Sequence, residues 1–257
     1  MDMGLKGKNV LITGASKGIG LACAKAFAAE GANLHLAARD PARLEAAKAE
    51  IAKVASVQVT LHPSDLGRGE VAKSLAAACG AIDVLVNNAG AIPGGNIEAV
   101  DEARWRDAWD LKVFGYINMT REVLPAMMKR GSGVIINVIG LAGMKPSMDY
   151  ICGATGNAAL IAFTKGVGGS STSKGVRVLG VNPTATRTDR IITLSKAKAK
   201  SAFGDESRWE EILSNSPFGR ICEPEEVADV VLYCASARAS YLSGTVIDID
   251  GGQLYRG

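Results

Sequence analysis

The chain has 257 residues, 47% of them hydrophobic and 21% charged, which is enough apolar content for one large α/β domain with a sizeable core. A formal net charge of +3, dispersed along the chain, argues against a nucleic-acid binder, and the absence of any run of about 18 apolar residues argues against a membrane span. The opening MDMGLKGKN carries no apolar segment of the kind that directs secretion, and five scattered cysteines without a C-x-x-C pair read as free thiols, so a cytoplasmic protein is expected.

Residues 8–13 (KNVLIT) are a short apolar run with β-branched members and predict a strand. Gly14-Ala15-Ser16-Lys17-Gly18-Ile19-Gly20 follows at once, and an apolar helix then runs to residue 30, stopped by Gly31. Glycines in such a turn let the backbone approach a pyrophosphate, while the new helix points free N–H groups at it. The strand–turn–helix context makes Gly14, Ser16, Lys17, Gly18, Ile19 and Gly20 candidate cofactor-binding residues. Strand 33–38 comes next, then helix 41–53, with Asp40 as its cap and Pro41 at its first position. Strand 57–61, helix 70–79 and strand 82–87 lead to a long helix over 102–129. Strand 134–138, helix 153–170, strand 176–181, helix 224–235 and strand 245–249 complete the alternation. Strands joined by helical crossovers predict a single Rossmann-type domain over 1–257, a doubly wound parallel sheet of about seven strands with helices on both faces.

His35 lies inside the second strand and His62 just after the third; neither has a metal-spaced partner in the sequence, and both read as structural, so no metal is expected. Lys196, Lys198 and Lys200 alternate with alanines and read as a solvated helical face, the alternative being a site for an acidic ligand.

The chain resembles the short-chain dehydrogenase/reductase family over essentially its whole length. The residues that carry the resemblance are Thr13 to Gly20, Asp65-Leu66, Asn87-Asn88-Ala89-Gly90, Asn182-Pro183, and the ending Tyr241-Leu242-Ser243-Gly244 with Asp250-Gly251-Gly252. It implies an NAD(P)-binding enzyme of small-molecule substrates, assembled as a homotetramer or homodimer through the long helix that carries Trp105, Trp109 and Phe114. It also implies that Asp65 and Leu66 flank the adenine, that Asn88, Ala89 and Gly90 line the adenosine ribose, and that Pro183 and Thr188 border the nicotinamide. Asn87 is expected to tie neighbouring strands together. Residues 187–217 correspond to the substrate lid, where Trp209 and Ile212 would line an apolar pocket. Where a dinucleotide fold specific for NAD places an acid at the end of the second strand, this chain has Ala38 followed by Arg39. Arg39 and Lys17 together suit a 2′-phosphate, which favours NADP(H) over NAD(H).

The family's usual Asn, Ser and Tyr-x-x-x-Lys set is replaced at each aligned position, by Lys112, Gly140, Gly153 and Asn157. A gapped alignment puts Tyr150 at the tyrosine position, with Ala154 where the lysine would be. In one reading the site is rebuilt: Tyr150 serves as general acid/base, Lys112 lowers its pKa or anchors the substrate oxygen, and Asn157 takes over the ribose hydrogen bonds. In the other, Tyr150 packs on Pro146, Lys112 pairs with Asp110 or Asp149, and the protein only binds nucleotide as a sensor or scaffold. The expected activity is interconversion of an alcohol and a carbonyl, with reduction of an activated C=C bond as the alternative on the same fold.

Overall fold

The computed structural model describes residues 2–256. Val10 and Ile12 of β1 (Asn9–Thr13) point to one face of the sheet and Leu11 to the other, so this strand is buried on both sides. Under the first face lie Phe27 of α1 (Gly18–Ala29), Leu44 of α2 (Pro41–Ala52) and Val231 of α8 (Pro224–Ala235). The opposite face packs Leu75 of α3 (Val71–Cys79) with Met119 and Met127 of α5 (Gly115–Arg130). Both faces therefore carry apolar layers, and the helices that supply them form the crossovers of a parallel sheet.

The seven strands are β1, β2 (Asn33–Ala38), β3 (Val59–Pro63), β4 (Val84–Asn87), β5 (Gly133–Val138), β6 (Val176–Pro183) and β7 (Val246–Ile249). They form one sheet in the order β3-β2-β1-β4-β5-β6-β7, with every pairing parallel. The order reverses between β1 and β4, and a doubly wound sheet opens a crevice outside the strand ends at such a switch. The glycine turn after β1 and Asn88 to Gly90 after β4 lie at that crevice.

Local signals placed most elements well. Asp40 accepts a hydrogen bond from Arg43 N at 3.1 Å, the expected cap of α2. Asn87 donates to Asn137 Oδ1 at 2.9 Å, and Asn137 donates to Thr164 Oγ1 at 2.9 Å, so a buried polar chain links β4, β5 and α6 (Ile151–Ser171). Three details differ from expectation. β3 runs over Val59–Pro63, two residues later than expected, because its register with β2 carries His62 and Pro63 into the sheet opposite Ala37 and Ala38. The long helix is interrupted: α4 (Glu102–Trp109) passes into α5 through a π turn at Asp110–Phe114, an extra residue in the helical ladder, and Lys112 sits in it. α6 starts at Ile151 rather than residue 153, which makes Tyr150 its N-cap.

The segment expected to form a lid is helical from Asp189 to Phe203 (α7), capped by Thr188, whose hydroxyl accepts from Ile191 N at 3.4 Å. Lys196, Lys198 and Lys200 are exposed on it. Trp209 and Ile212 are half-buried and line neither of the clefts described below. Of the aromatics on the long helix, Trp105 and Trp109 pack against Ile92 and Val100, and only Phe114 is exposed, at 48%. No helix among the described residues is long and apolar enough to cross a membrane.

Candidate active site

Gly14 and Gly18 have φ of +65° and +55°, the left-handed region in which a side chain is strained. A Cβ on Gly14 would sit 2.9 Å from Ala89 Cα, and one on Gly20 would sit 2.3 Å from Gly14 O, so the turn closes tightly on α1 and on the loop after β4. No side chain caps the first turn of α1. Its N–H groups stay free to meet a phosphate, beside Ser16 and Lys17.

Asn88 holds the turn from the other strand. Its amide donates to Thr13 O at 3.0 Å and Gly14 O at 3.2 Å, while the backbone N–H groups of Asn88 and Ala89 donate to Thr13 Oγ1. The Asn88 side chain braces the glycine turn, a role the sequence reading, which placed it along the ribose, did not include. Lys17 reaches across the crevice to Asp189 at 3.3 Å, and Thr188 packs on Gly18, so the start of α7 lies directly over the turn.

Beyond the turn an open cleft of about 660 Å³ is lined by Arg39 and Asp65 at one end and by Ile92 and Arg190 at the other. This falls in the range of small-molecule and cofactor sites. Arg39 is exposed; Asp65 Oδ1 accepts from Gly67 N at 3.2 Å, and Leu66 is buried beneath. A smaller cleft of about 220 Å³ adjoins it at Ile92 and Arg190 and includes Lys17, Asp189 and Leu194.

Behind Arg190, and lining neither cleft, Tyr150 lies over Gly153. A Cβ on Gly153 would fall 2.1 Å from Tyr150 Cε1 and Cζ, so the phenol occupies the space that any side chain at position 153 would fill. Arg190 Nη2 donates to Tyr150 OH at 3.4 Å and also to Ile92 O. Burial pushes the Tyr150 pKa up, and the Arg190 guanidinium partly opposes this.

Arg190 is the residue that sequence reasoning missed. Its only local signal is its place two residues after the α7 cap, which sends the first turn of α7 back over the crevice. The sequence reading instead set Lys112 beside the phenol. In the structure Lys112 Nζ donates to Ile139 O at 2.6 Å, and no hydrogen bond joins it to Tyr150 among the described residues. Lys112 also makes no ion pair with Asp110 or Asp149 there, and Tyr150 packs with the cluster of Ile92, Val100 and Cys152.

Three glycines make room along this wall. A Cβ on Gly90 would meet Lys112 Cδ at 2.8 Å, and one on Gly140, at φ +145°, would meet Asn157 Nδ2 at 2.9 Å; Gly153 admits the phenol. Asn157 is 3% exposed, and its Oδ1 is buried without a hydrogen-bond partner. Such an orphaned acceptor costs about 1–3 kcal/mol unless a bound group supplies a donor. Pro183 is buried at the end of β6, next to Asn182, which accepts from Gly140 N at 3.4 Å and donates to Asp248 at 2.8 Å.

Desolvation, helped by the nearby Arg190 charge, lowers the Lys112 pKa from 10.5 to about 7. Because the folded value lies below the unfolded one, the unfolded chain holds a proton the native state has lost between these two pH values. The resulting penalty is absent above the unfolded pKa and complete below about pH 7. Lys112→Met removes that penalty but leaves Ile139 O without its donor, a loss of about 1–3 kcal/mol against a gain of about 5 kcal/mol at pH 6. The expected result is a net stabilisation of about 3 kcal/mol at pH 6 that shrinks as the pH rises and turns into a net destabilisation of about 1 kcal/mol towards pH 10, where the loss of the Ile139 O donor outweighs the remaining penalty, read from urea unfolding at the two pH values. Equal midpoints for the variant and the parent at pH 6 would show that the ammonium is better solvated than this geometry implies.

A match to the short chain dehydrogenase family runs over residues 8–199. The chain is 33% identical over 251 residues to a 2-keto-3-deoxy-L-fuconate dehydrogenase of Xanthomonas campestris pv. campestris, covering 96% of this chain and 80% of that protein. It is 31% identical over 257 residues to a 3-oxoacyl-(acyl-carrier-protein) reductase of Chlamydia muridarum, covering 98% and 99% of the two chains. The fold superposes on L-sorbose reductase from Gluconobacter frateurii, solved with NADPH and L-sorbose, at a TM-score of 0.92 and 32% identity over the full length of both chains. With a parallel sheet in the family's order, a glycine turn at its switch point and this breadth of likeness, the chain belongs to the short-chain dehydrogenase/reductase family.

Proposed function

We propose that this protein is an NADP(H)-dependent oxidoreductase that interconverts a carbonyl and a hydroxyl on a small-molecule substrate, with an acid/base centre rebuilt around Tyr150. The observation that carries this reading is the Tyr150 phenol seated over Gly153 with the Arg190 guanidinium at its hydroxyl. The residues of the crevice fit a dinucleotide: an uncapped helix start at the glycine turn, an orphaned Asn157 acceptor, and Arg39 at the far end of the cleft. The NADPH of L-sorbose reductase supports the same cofactor here.

When bound, NADPH supplies the hydride. The rest falls to the chain's own groups. The turn from Gly14 to Gly20 and the first turn of α1 hold the pyrophosphate; Asp65 and Leu66 flank the adenine, and Ala89 and Gly90 line its ribose. Asn157 Oδ1 accepts a hydrogen bond from a ribose hydroxyl, and Pro183 and Thr188 border the nicotinamide. Tyr150, kept protonated at neutral pH by its burial, donates its phenolic proton to the carbonyl oxygen as that oxygen gains charge. Arg190 stabilises the phenolate left behind, and below about pH 7, where Lys112 is protonated, its ammonium adds positive charge to the same wall. Arg190 belongs to the lid helix, so closure of the lid and completion of the acid/base pair are one event. We place the working form as a homo-oligomer, with the exposed Phe114 at its contact.

The direct test is NADPH oxidation, followed by absorbance, against a panel of sugar ketones, keto acids and β-ketoacyl thioesters. Turnover of any member supports the reading; tight NADPH binding with no turnover across the panel favours the nucleotide-binding scaffold. Arg39→Ala checks the cofactor separately. Loss of one charge-assisted contact to a 2′-phosphate is worth about 1.5–3 kcal/mol, so NADPH affinity is expected to fall by about tenfold to a hundredfold. NADH affinity, measured by fluorescence titration, stays within about twofold, and equal losses for the two would refute the 2′-phosphate assignment.

A further inference from the structure

We infer that His35, His62 and Cys79 form a binding site for a single zinc-class divalent cation at the sheet edge, separate from the cofactor crevice. Separations of 27 and 17 positions hide this cluster from any spacing rule. Sheet register creates it. β2 and β3 pair with His35 opposite Thr60 and Ala37 opposite His62, which puts both histidines on one face as diagonal neighbours. That face is the one α3 covers, since Ala37 packs in the same cluster as Ala72, Leu75 and Cys79. Cys79, the last residue of α3, therefore arrives beside the imidazoles.

The donor geometry is close to what a metal needs. His35 Nδ1 lies 2.9 Å from His62 Nε2, Cys79 Sγ lies 3.6 Å from the same Nε2, and all three donors lie within 4.8 Å of one another. Tetrahedral zinc, with bonds of about 2.0–2.1 Å to nitrogen and 2.3 Å to sulfur, spaces its donors roughly 3.3–3.6 Å apart. The His62–Cys79 spacing already matches, the two nitrogens need to open by a few tenths of an ångström, and the His35–Cys79 pair, which lies within 4.8 Å, sets the remaining adjustment. Among the described residues none of the three side chains has a hydrogen-bond partner outside the cluster, so nothing competes for these lone pairs.

A thiol and two imidazoles without a carboxylate are the donors of zinc and its neighbours and not of magnesium or calcium. Binding releases the Cys79 thiol proton to solvent and leaves the thiolate on the metal. Both histidines are half-buried while Cys79 is buried, so a fourth position remains for water or an exogenous ligand. The ion would tie edge strand β3 to α3, on the strand that leads into Asp65 and Leu66.

Cobalt(II) is the probe, because thiolate coordination gives it a charge-transfer band in the near ultraviolet and tetrahedral coordination gives intense visible bands. Chelator-stripped full-length protein is titrated with Co²⁺ and then with competing Zn²⁺. The expected result is saturation at one equivalent, a thiolate-to-cobalt band, and its loss on adding Zn²⁺. Cys79→Ser, checked for native circular dichroism and NADPH binding, loses the band, whereas Cys222→Ser keeps it. Even an outer-shell partner is worth about tenfold to a hundredfold in metal affinity, so His35→Gln and His62→Gln should each weaken Co²⁺ binding by more than about tenfold. Zn²⁺ raises the thermal midpoint of the parent and not of Cys79→Ser. No band in the parent, a band that survives Cys79→Ser, or unchanged affinity in both histidine variants overturns the site and leaves a hydrogen-bonded chain of three side chains.

Discussion

Tyr150→Phe is expected to lower the turnover of carbonyl reduction by roughly 10²- to 10⁴-fold, the usual contribution of a positioned general acid, while NADPH affinity stays within about twofold. Phenylalanine keeps the ring that fills the space over Gly153 and removes only the hydroxyl that meets Arg190, so packing and proton transfer are separated in one substitution. Stopped-flow measurement of the single-turnover rate with saturating NADPH distinguishes the chemical step from product release. The pH dependence carries a second signature. Burial holds the phenol pKa above its ordinary value of 10, so the acid form persists through neutral pH. Reduction should therefore be insensitive to Tyr150 ionisation from pH 6 to 9 and fail only in strongly alkaline solution. A Tyr150→Phe enzyme with parental turnover would remove Tyr150 from the chemistry.

Gly153→Ala should inactivate the enzyme nearly as far as Tyr150→Phe, although it deletes no functional group. By helix propensity alone the change is favourable by about 1 kcal/mol, because alanine restricts the unfolded chain and suits the interior of α6. The added methyl, however, would lie 2.1 Å from Tyr150 Cε1 and Cζ, an overlap no packed structure sustains. The clashing atoms belong to the far end of a side chain on the first residue before α6, so the ring moves and the backbone stays. The expected outcome is a protein with parental or higher thermal midpoint, parental NADPH affinity, and turnover reduced by at least about a hundredfold, the lower bound for losing a positioned acid. Full activity in this variant would mean that the phenol works from another rotamer. Loss of folding would mean that the ring is fixed more firmly than its contacts indicate.

On the proposed mechanism, glycine at 153 and tyrosine at 150 belong to one design, since the ring of Tyr150 fills the space a side chain at 153 would take. A proton donor three residues earlier on the chain reaches a similar position only if α6 begins early and nothing projects from 153. Both conditions hold, with Tyr150 as the N-cap and a bare Cα beneath its ring. Arg190 reaches the phenol from the start of α7, and its guanidinium also donates to Ile92 O. The proposed acid/base group would thus be assembled from the start of α6, the loop after β4 and the start of α7.

The sequence by itself determined what depends on neighbours a few residues apart. Alternating apolar strands, the Asp40-Pro41 helix start, and glycines where β1 turns into α1 are local statements, and each stands in the structure within a residue or two. The parallel doubly wound sheet followed as well, because alternating strands and helices leave few ways to bury both faces of the strands. Tertiary structure alone decided which charges meet. Lys112 was legible as a cation in the site but not as a donor to Ile139 O, since the π turn that sets its position has no sequence signature. Arg190 meets Tyr150 across 40 positions because α7 folds back over the crevice, which no periodicity encodes. His35, His62 and Cys79 converge for the same kind of reason: a one-residue slip between β2 and β3 would send His62 to the opposite face and dissolve the cluster. Register and crossover geometry are settled by burial of the whole sheet, a sum over many distant contacts, and that sum is where local reading of a chain stops.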